Sequence, residues 1–102
     1  MPTFPLTLRQ TYFNEGFFYV IVDYDRYVRK AEGAVRLRLG RRGVEIEAKL
    51  DRRANMNGTA RIRGGAPLRN WFHSNFEPMD IVAVDLSSEE IIILNKLTSE
   101  RG

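Results

Sequence analysis

The sequence predicts a mainly β fold of seven short strands and two short helices, closed as a barrel or packed as a sandwich. Three observations carry this. Apolar and polar residues alternate with period two through most of the chain, turn residues recur at short intervals, and no helix of about a dozen residues separates the strands as a parallel sheet requires. The 102 residues, 43% of them hydrophobic, describe a single domain over 1–102 with its core at about 4–94 and a short tail at 95–102. A chain of this length buries roughly 60 to 70% of its unfolded surface around one core and needs no metal or disulfide to fold.

The elements follow in order. Phe4, Leu6 and Leu8 share one face of a first strand, with Thr3, Thr7 and Arg9 among its polar positions. Asn14-Glu15-Gly16 is a turn signal, and Phe17 to Val22 is aromatic and β-branched enough for a largely buried second strand. Asp23 is placed to cap a short helix whose apolar face is Tyr24, Tyr27 and Val28, stopped at Glu32-Gly33. Val35, Leu37 and Leu39 alternate with Arg36 and Arg38; across Gly40-Arg41-Arg42-Gly43, Val44, Ile46, Ala48 and Leu50 alternate with Glu45, Glu47 and Lys49, the clearest hairpin of the chain. After a polar loop from Asp51 to Gly58, Thr59 to Arg63 forms a fifth strand ended by Gly64-Gly65. Pro67 sits in a first helical turn, followed by the apolar face Leu68, Trp71 and Phe72 and closed by Pro78. Ile81 to Val84 and Ile91 to Leu94 are the last strands, separated by the turn 86–90.

Charge is segregated along this path. Residues 26–69 hold thirteen bases against four acids, whereas 1–25 carry a net −2 and 70–102 a net −4. From Arg52 to Arg69 there are five arginines and no acid. Thirteen of the sixteen bases are arginine, whose planar fork suits phosphate or guanine better than an ammonium does, so the expected partner is polyanionic. A solvated, merely solubilising face is the competing explanation.

The order strand, strand, short helix, hairpin, strand, short helix, two strands resembles that of the DNA-binding pseudobarrel family. That family includes the plant B-three transcription-factor domains and the DNA-recognition domains of certain restriction endonucleases. The likeness covers Phe4 to Leu94, and the run from Leu68 through Trp71, Phe72, Asn75 and Phe76 to Asp80, followed by Ile81-Val82-Ala83-Val84, is similar to the family's stretch before a hydrophobic strand. Asn70 and Met79 stand where that pattern has glycine. The resemblance implies a seven-stranded open β-barrel that grips the major groove of double-stranded DNA with two arms. The first arm maps onto Arg9 to Glu15, with Arg9, Gln10, Thr11, Tyr12 and Asn14 as contacts. The second maps onto Lys49 to Arg61, with Lys49, Arg52, Arg53, Asn55, Asn57, Thr59 and Arg61, and Arg63 just beyond. Arginine forks onto guanine and Asn or Gln pairs with adenine, so Gln10, Asn14, Asn55 and Asn57 are the expected base readers; Arg52, Arg53, Arg61 and Arg63 serve bases or phosphates. Asn55 and Asn57 are equally explained by turn chemistry.

No chemistry of its own is expected of the chain. Glu45, Glu47 and Lys49 match a loose acidic-x-Lys nuclease pattern, but they also fill the outward positions of a strand. His73 has neither cysteine nor a second histidine to share a metal with, no serine sits in a nucleophile elbow, and Gly40 to Gly43 and Gly64-Gly65 read as turns rather than phosphate cradles. The reading is therefore a non-catalytic DNA-binding domain without metal or cofactor, a regulator or the recognition component of a restriction-type system whose nuclease or effector is a separate protein. The longest apolar runs, Phe17 to Val22 and Ile91 to Leu94, are far shorter than the roughly 20 residues of a membrane span, so no membrane partner is expected and the expected location is the cytoplasm. Two alternatives stay open: an OB-like barrel that stacks unpaired bases on Tyr12, Phe13, Tyr24 or Tyr27, and a module whose basic face meets an acidic protein.

Overall fold

The computed structural model describes residues 2–40, 43–53, 58–88 and 90–96. Strands β1 (Thr3–Thr7), β2 (Phe17–Tyr19), β3 (Gly33–Leu39), β4 (Glu45–Asp51), β5 (Arg61–Arg63), β6 (Ile81–Asp85) and β7 (Ile91–Lys96) form one sheet in the order β1-β6-β7-β3-β4-β5-β2. Every pairing is antiparallel except β3 with β7. The sheet curls through 270° into a half-barrel, leaving an open seam between its edge strands β1 and β2. Helices α1 (Gln10–Glu15) and α2 (Gly65–Asn75) pack together beside β2, and a 3₁₀ segment spans Val22–Tyr27.

Strand parity explains the core. Phe4, Leu6, Phe18, Leu37, Leu50, Ile62, Val82, Val84 and Leu94 point into the barrel, and Leu68 and Phe72 of α2 join them; each is at most 3% exposed. Burying side chains of this size stabilises the fold by about 1.5 to 3 kcal/mol each before conformational entropy is subtracted. The partners of these strands alternate outward, which is what sets the surface described below. Among the described residues, no helix is long and apolar enough to cross a membrane.

The mainly β open barrel with short helices is as the sequence predicts, and four local features differ. The segment between the first two strands is a helix, α1, which the sequence reading does not include, and the turn signal Asn14-Glu15-Gly16 is its C-terminus. Gly16 takes φ 77°, its N–H donates to Tyr12 O, and its own carbonyl accepts from the N–H groups of both Gly64 and Gly65. A Cβ at Gly16 would lie 2.3 Å from Gly65 O, so both the conformation and the close approach of the two helices require glycine. β2 ends at Tyr19 instead of Val22: Val20 N still bonds Ala60 O, but Ile21 and Val22 stand 42% and 64% exposed. The short helix begins after Ile21 and ends at Tyr27, and Asp23 is not its cap, because the chain turns there through a 3₁₀ bond from Tyr24 N to Ile21 O. β5 begins at Arg61 instead of Thr59. Met79, at a position where the pseudobarrel pattern has glycine, holds φ 76°, a left-handed conformation that ordinary side chains rarely adopt.

Candidate nucleic-acid interface

The register places one row of side chains across three neighbouring strands on the outer face: Phe17 opposite Arg63, and Arg63 opposite Lys49. The adjacent row is Tyr19, Arg61 and Asp51. Phe18, Ile62 and Leu50, the residues between them, are buried, so parity alone turns both rows to solvent. Tyr12 of α1 leans over this face, its ring 5.4 Å from that of Phe17 and 6.3 Å from that of Tyr19. Arg61 lies over the Phe17 ring at 5.9 Å while its guanidinium holds Asp51 at 3.0 Å.

The exposed cations of the chain divide into those held by an acid and those without one. On the β3–β4 hairpin Arg38 and Arg36 both spend their charge on Glu45, at 2.7 and 3.5 Å. The hydrogen bond from Arg38 is the main reason that the Glu45 carboxyl is held below its ordinary value. Arg9, Lys49, Arg63 and Arg69, by contrast, are exposed and have no acid partner among the described residues. The patch thus combines the unpaired cations Lys49 and Arg63 with three aromatic rings, and Asp51 in its second row is ion-paired with Arg61.

The segment leading out of β4 behaves differently. Arg52 turns inward: its Nη1 bonds Asp25 Oδ2 at 2.7 Å and Gly58 O at 3.1 Å, and its Nη2 bonds Arg29 O at 2.7 Å and Val28 O at 3.3 Å. Both side chains of the Arg52–Asp25 pair are 15% exposed. The other oxygen of Asp25 accepts the Ala60 N–H, and Glu32 accepts the Arg52 N–H. Arg52 is therefore a scaffold residue that clasps this segment to the 3₁₀ region, and its guanidinium is not available for the base or phosphate contact that the sequence suggests. Arg53 is 91% exposed, 3.8 Å from Glu32. Thr59 is buried, 4% exposed, which removes it from any direct contact on the outer face. Asn55 and Asn57 lie outside the described residues. Gln10 and Asn14 bond each other at 3.2 Å along the exposed side of α1, next to exposed Thr11.

The fold therefore brings Arg9, Tyr12, Lys49, Arg61 and Arg63 to one face, and Gln10, Thr11 and Asn14 to the helix beside it. Phe17 and Tyr19 were absent from the expected set because an aromatic run reads as core; the parity around Phe18 is the signal that separates them. Glu45 is paired with Arg38, and no three His, Cys, Asp or Glu side chains converge among the described residues. His73 stacks on Phe13 at 4.3 Å and its Nε2 lies 2.9 Å from Phe13 O, tying α2 to α1.

Beside the patch, a cleft of about 410 Å³ occupies the barrel seam between β1 and β2, with Arg9, Tyr12 and Tyr19 in its lining. Burial raises the Tyr12 phenol above its ordinary value of 10.0, against the opposing effect of a hydrogen bond with the Tyr19 backbone. Both states of the chain carry a neutral Tyr12 below pH 10; above it the unfolded chain ionises first, so this residue withdraws stability as the pH rises further. Tyrosinate absorbance is expected to show a late phase above pH 10 that Tyr12→Phe removes, and a titration with no such phase would contradict the buried phenol.

No family model matches the chain, and no curated protein matches its sequence.

Proposed function

We propose that the protein binds double-stranded DNA in the major groove through the outer face of β2, β5 and β4, with α1 alongside, and performs no chemistry itself. The observation that carries this is the Phe17–Arg63–Lys49 row, in which two cations without acid partners stand in register on adjacent strands. Strands lie about 4.8 Å apart, so a row across three of them is roughly 10 Å wide, within the roughly 12 Å opening of the major groove. Arg9, Arg53, Lys49, Arg63 and Arg69 supply phosphate contacts, and Gln10 and Asn14 on α1 have the amide chemistry to read adenine. The open half-barrel and the left-handed Met79 support the resemblance to the pseudobarrel family. A separate nuclease or effector would then act on the site that this domain finds.

The three-ring cluster of Tyr12, Phe17 and Tyr19 favours a second reading, in which single strands stack on the same face. Titration against random-sequence duplex and single-stranded DNA at several salt concentrations decides between them. Duplex binding is expected to weaken with a log–log salt slope of about −4 to −5, as five cations displace counterions. Preference for single strands supports the second reading, and binding to neither at low salt overturns both.

A further inference from the structure

We propose that the seam of the half-barrel is a pocket for an unpaired nucleobase, an inference that rests on the duplex-binding reading. The cleft of about 410 Å³ falls within the range of about 300 to 1,000 Å³ typical of small-molecule sites. Among the described residues its lining joins the half-buried rings of Tyr12 and Tyr19 and the apolar Val20, Ile21 and Val22 to a single charge, the cation Arg9, with no acid. An aromatic and aliphatic slot with one cation and no anion suits a flat, neutral heterocycle that carries a phosphate at its rim. The rings are not used up on one another. Tyr12 and Tyr19 meet at 56°, and Phe17 meets them at 69° and 88°, so no pair is stacked face to face.

The backbone adds polar recognition. Among the described residues β1 is paired only with β6 and β2 only with β5, so both edges present backbone groups to the seam that can meet the hydrogen-bonding edge of a base. The same edges are poor templates for an added peptide strand, since β2 offers three residues and β1 is interrupted at Pro5, which has no N–H. The cleft is also continuous with the outer face, because Tyr12 and Tyr19 belong to both. A nucleotide displaced from a duplex held on that face has a short path into the seam.

The test compares a matched duplex with the same duplex carrying one bulged adenine, by fluorescence anisotropy on the whole chain. Stacking on an aromatic side chain is worth enough that the bulged duplex is expected to bind about tenfold more tightly. Val22→Trp fills the mouth of the cleft from an exposed position. It is expected to erase the preference while leaving matched-duplex affinity within about twofold, with circular dichroism confirming the fold. Equal affinity of the native chain for both duplexes overturns the pocket and leaves the duplex reading standing. A preference that survives Val22→Trp overturns its assignment to the seam, and failure to bind either duplex overturns both inferences.

Discussion

Replacement of Arg52 by alanine is expected to destabilise the fold by about 3 to 4 kcal/mol, the cost of breaking a largely buried ion pair and stranding its partner. The guanidinium gathers four acceptors from three stretches of chain: Asp25, the carbonyls of Val28 and Arg29, and that of Gly58. Alanine leaves Asp25 with the Ala60 N–H alone, in a site where both members of the pair are 15% exposed. Against a total stability of about 5 to 15 kcal/mol, such a loss lowers the melting temperature by roughly 15 to 25 °C. Lysine should not rescue it, because one ammonium cannot reach four acceptors spread over a planar fork. Arg53→Ala, next along the chain and 91% exposed, should shift stability by less than about 0.5 kcal/mol. Urea unfolding of the three variants checks this, and an Arg52→Ala protein as stable as Arg53→Ala would overturn the clasp.

That comparison also bears on how much of the protein was legible in its sequence. Period-two alternation located β1, β3 and β4, because inward side chains such as Leu6, Leu37 and Leu50 must match the pleat to be buried, and short aromatic or β-branched runs located β2, β6 and β7. Alternation says nothing about which strands become neighbours, and the crossover that puts β7 between β6 and β3 comes from tertiary packing. α1 was missed because a six-residue helix offers too few turns for a periodic signal, and Gly16, which ends it, has the same chemistry as a hairpin turn. An arginine's role depends on acids distant in the chain. Arg52 and Arg53 are adjacent and chemically identical, yet one is a scaffold clasp and the other is solvated; the difference lies in Asp25, 27 residues upstream. Arg36 and Arg38 add to the basic count in the sequence, but across the hairpin both share Glu45.

Reversing the unpaired cations of the candidate interface should have the largest effect on binding. Lys49→Glu with Arg63→Glu puts two acids where the register sets two cations side by side on β4 and β5. Loss of two phosphate contacts should flatten the log–log salt slope by about 2 units. With the added repulsion, affinity for duplex DNA near 0.1 M salt should fall about a hundredfold or more. Lys49 faces outward between buried Ala48 and Leu50 and Arg63 beside buried Ile62, so the fold should persist, with only a modest cost for like charges placed opposite each other. Lys96→Glu reverses a cation beyond the Leu39 end of β3, whereas Lys49 pairs with Ala34 at the other end, and reports what net charge alone contributes. If Lys96→Glu weakens binding as much per charge reversed as the Lys49 and Arg63 pair, attraction is diffuse and the outer face is not the contact. A loss concentrated in the pair, together with a shallower salt slope, is the signature of phosphates seated on that row.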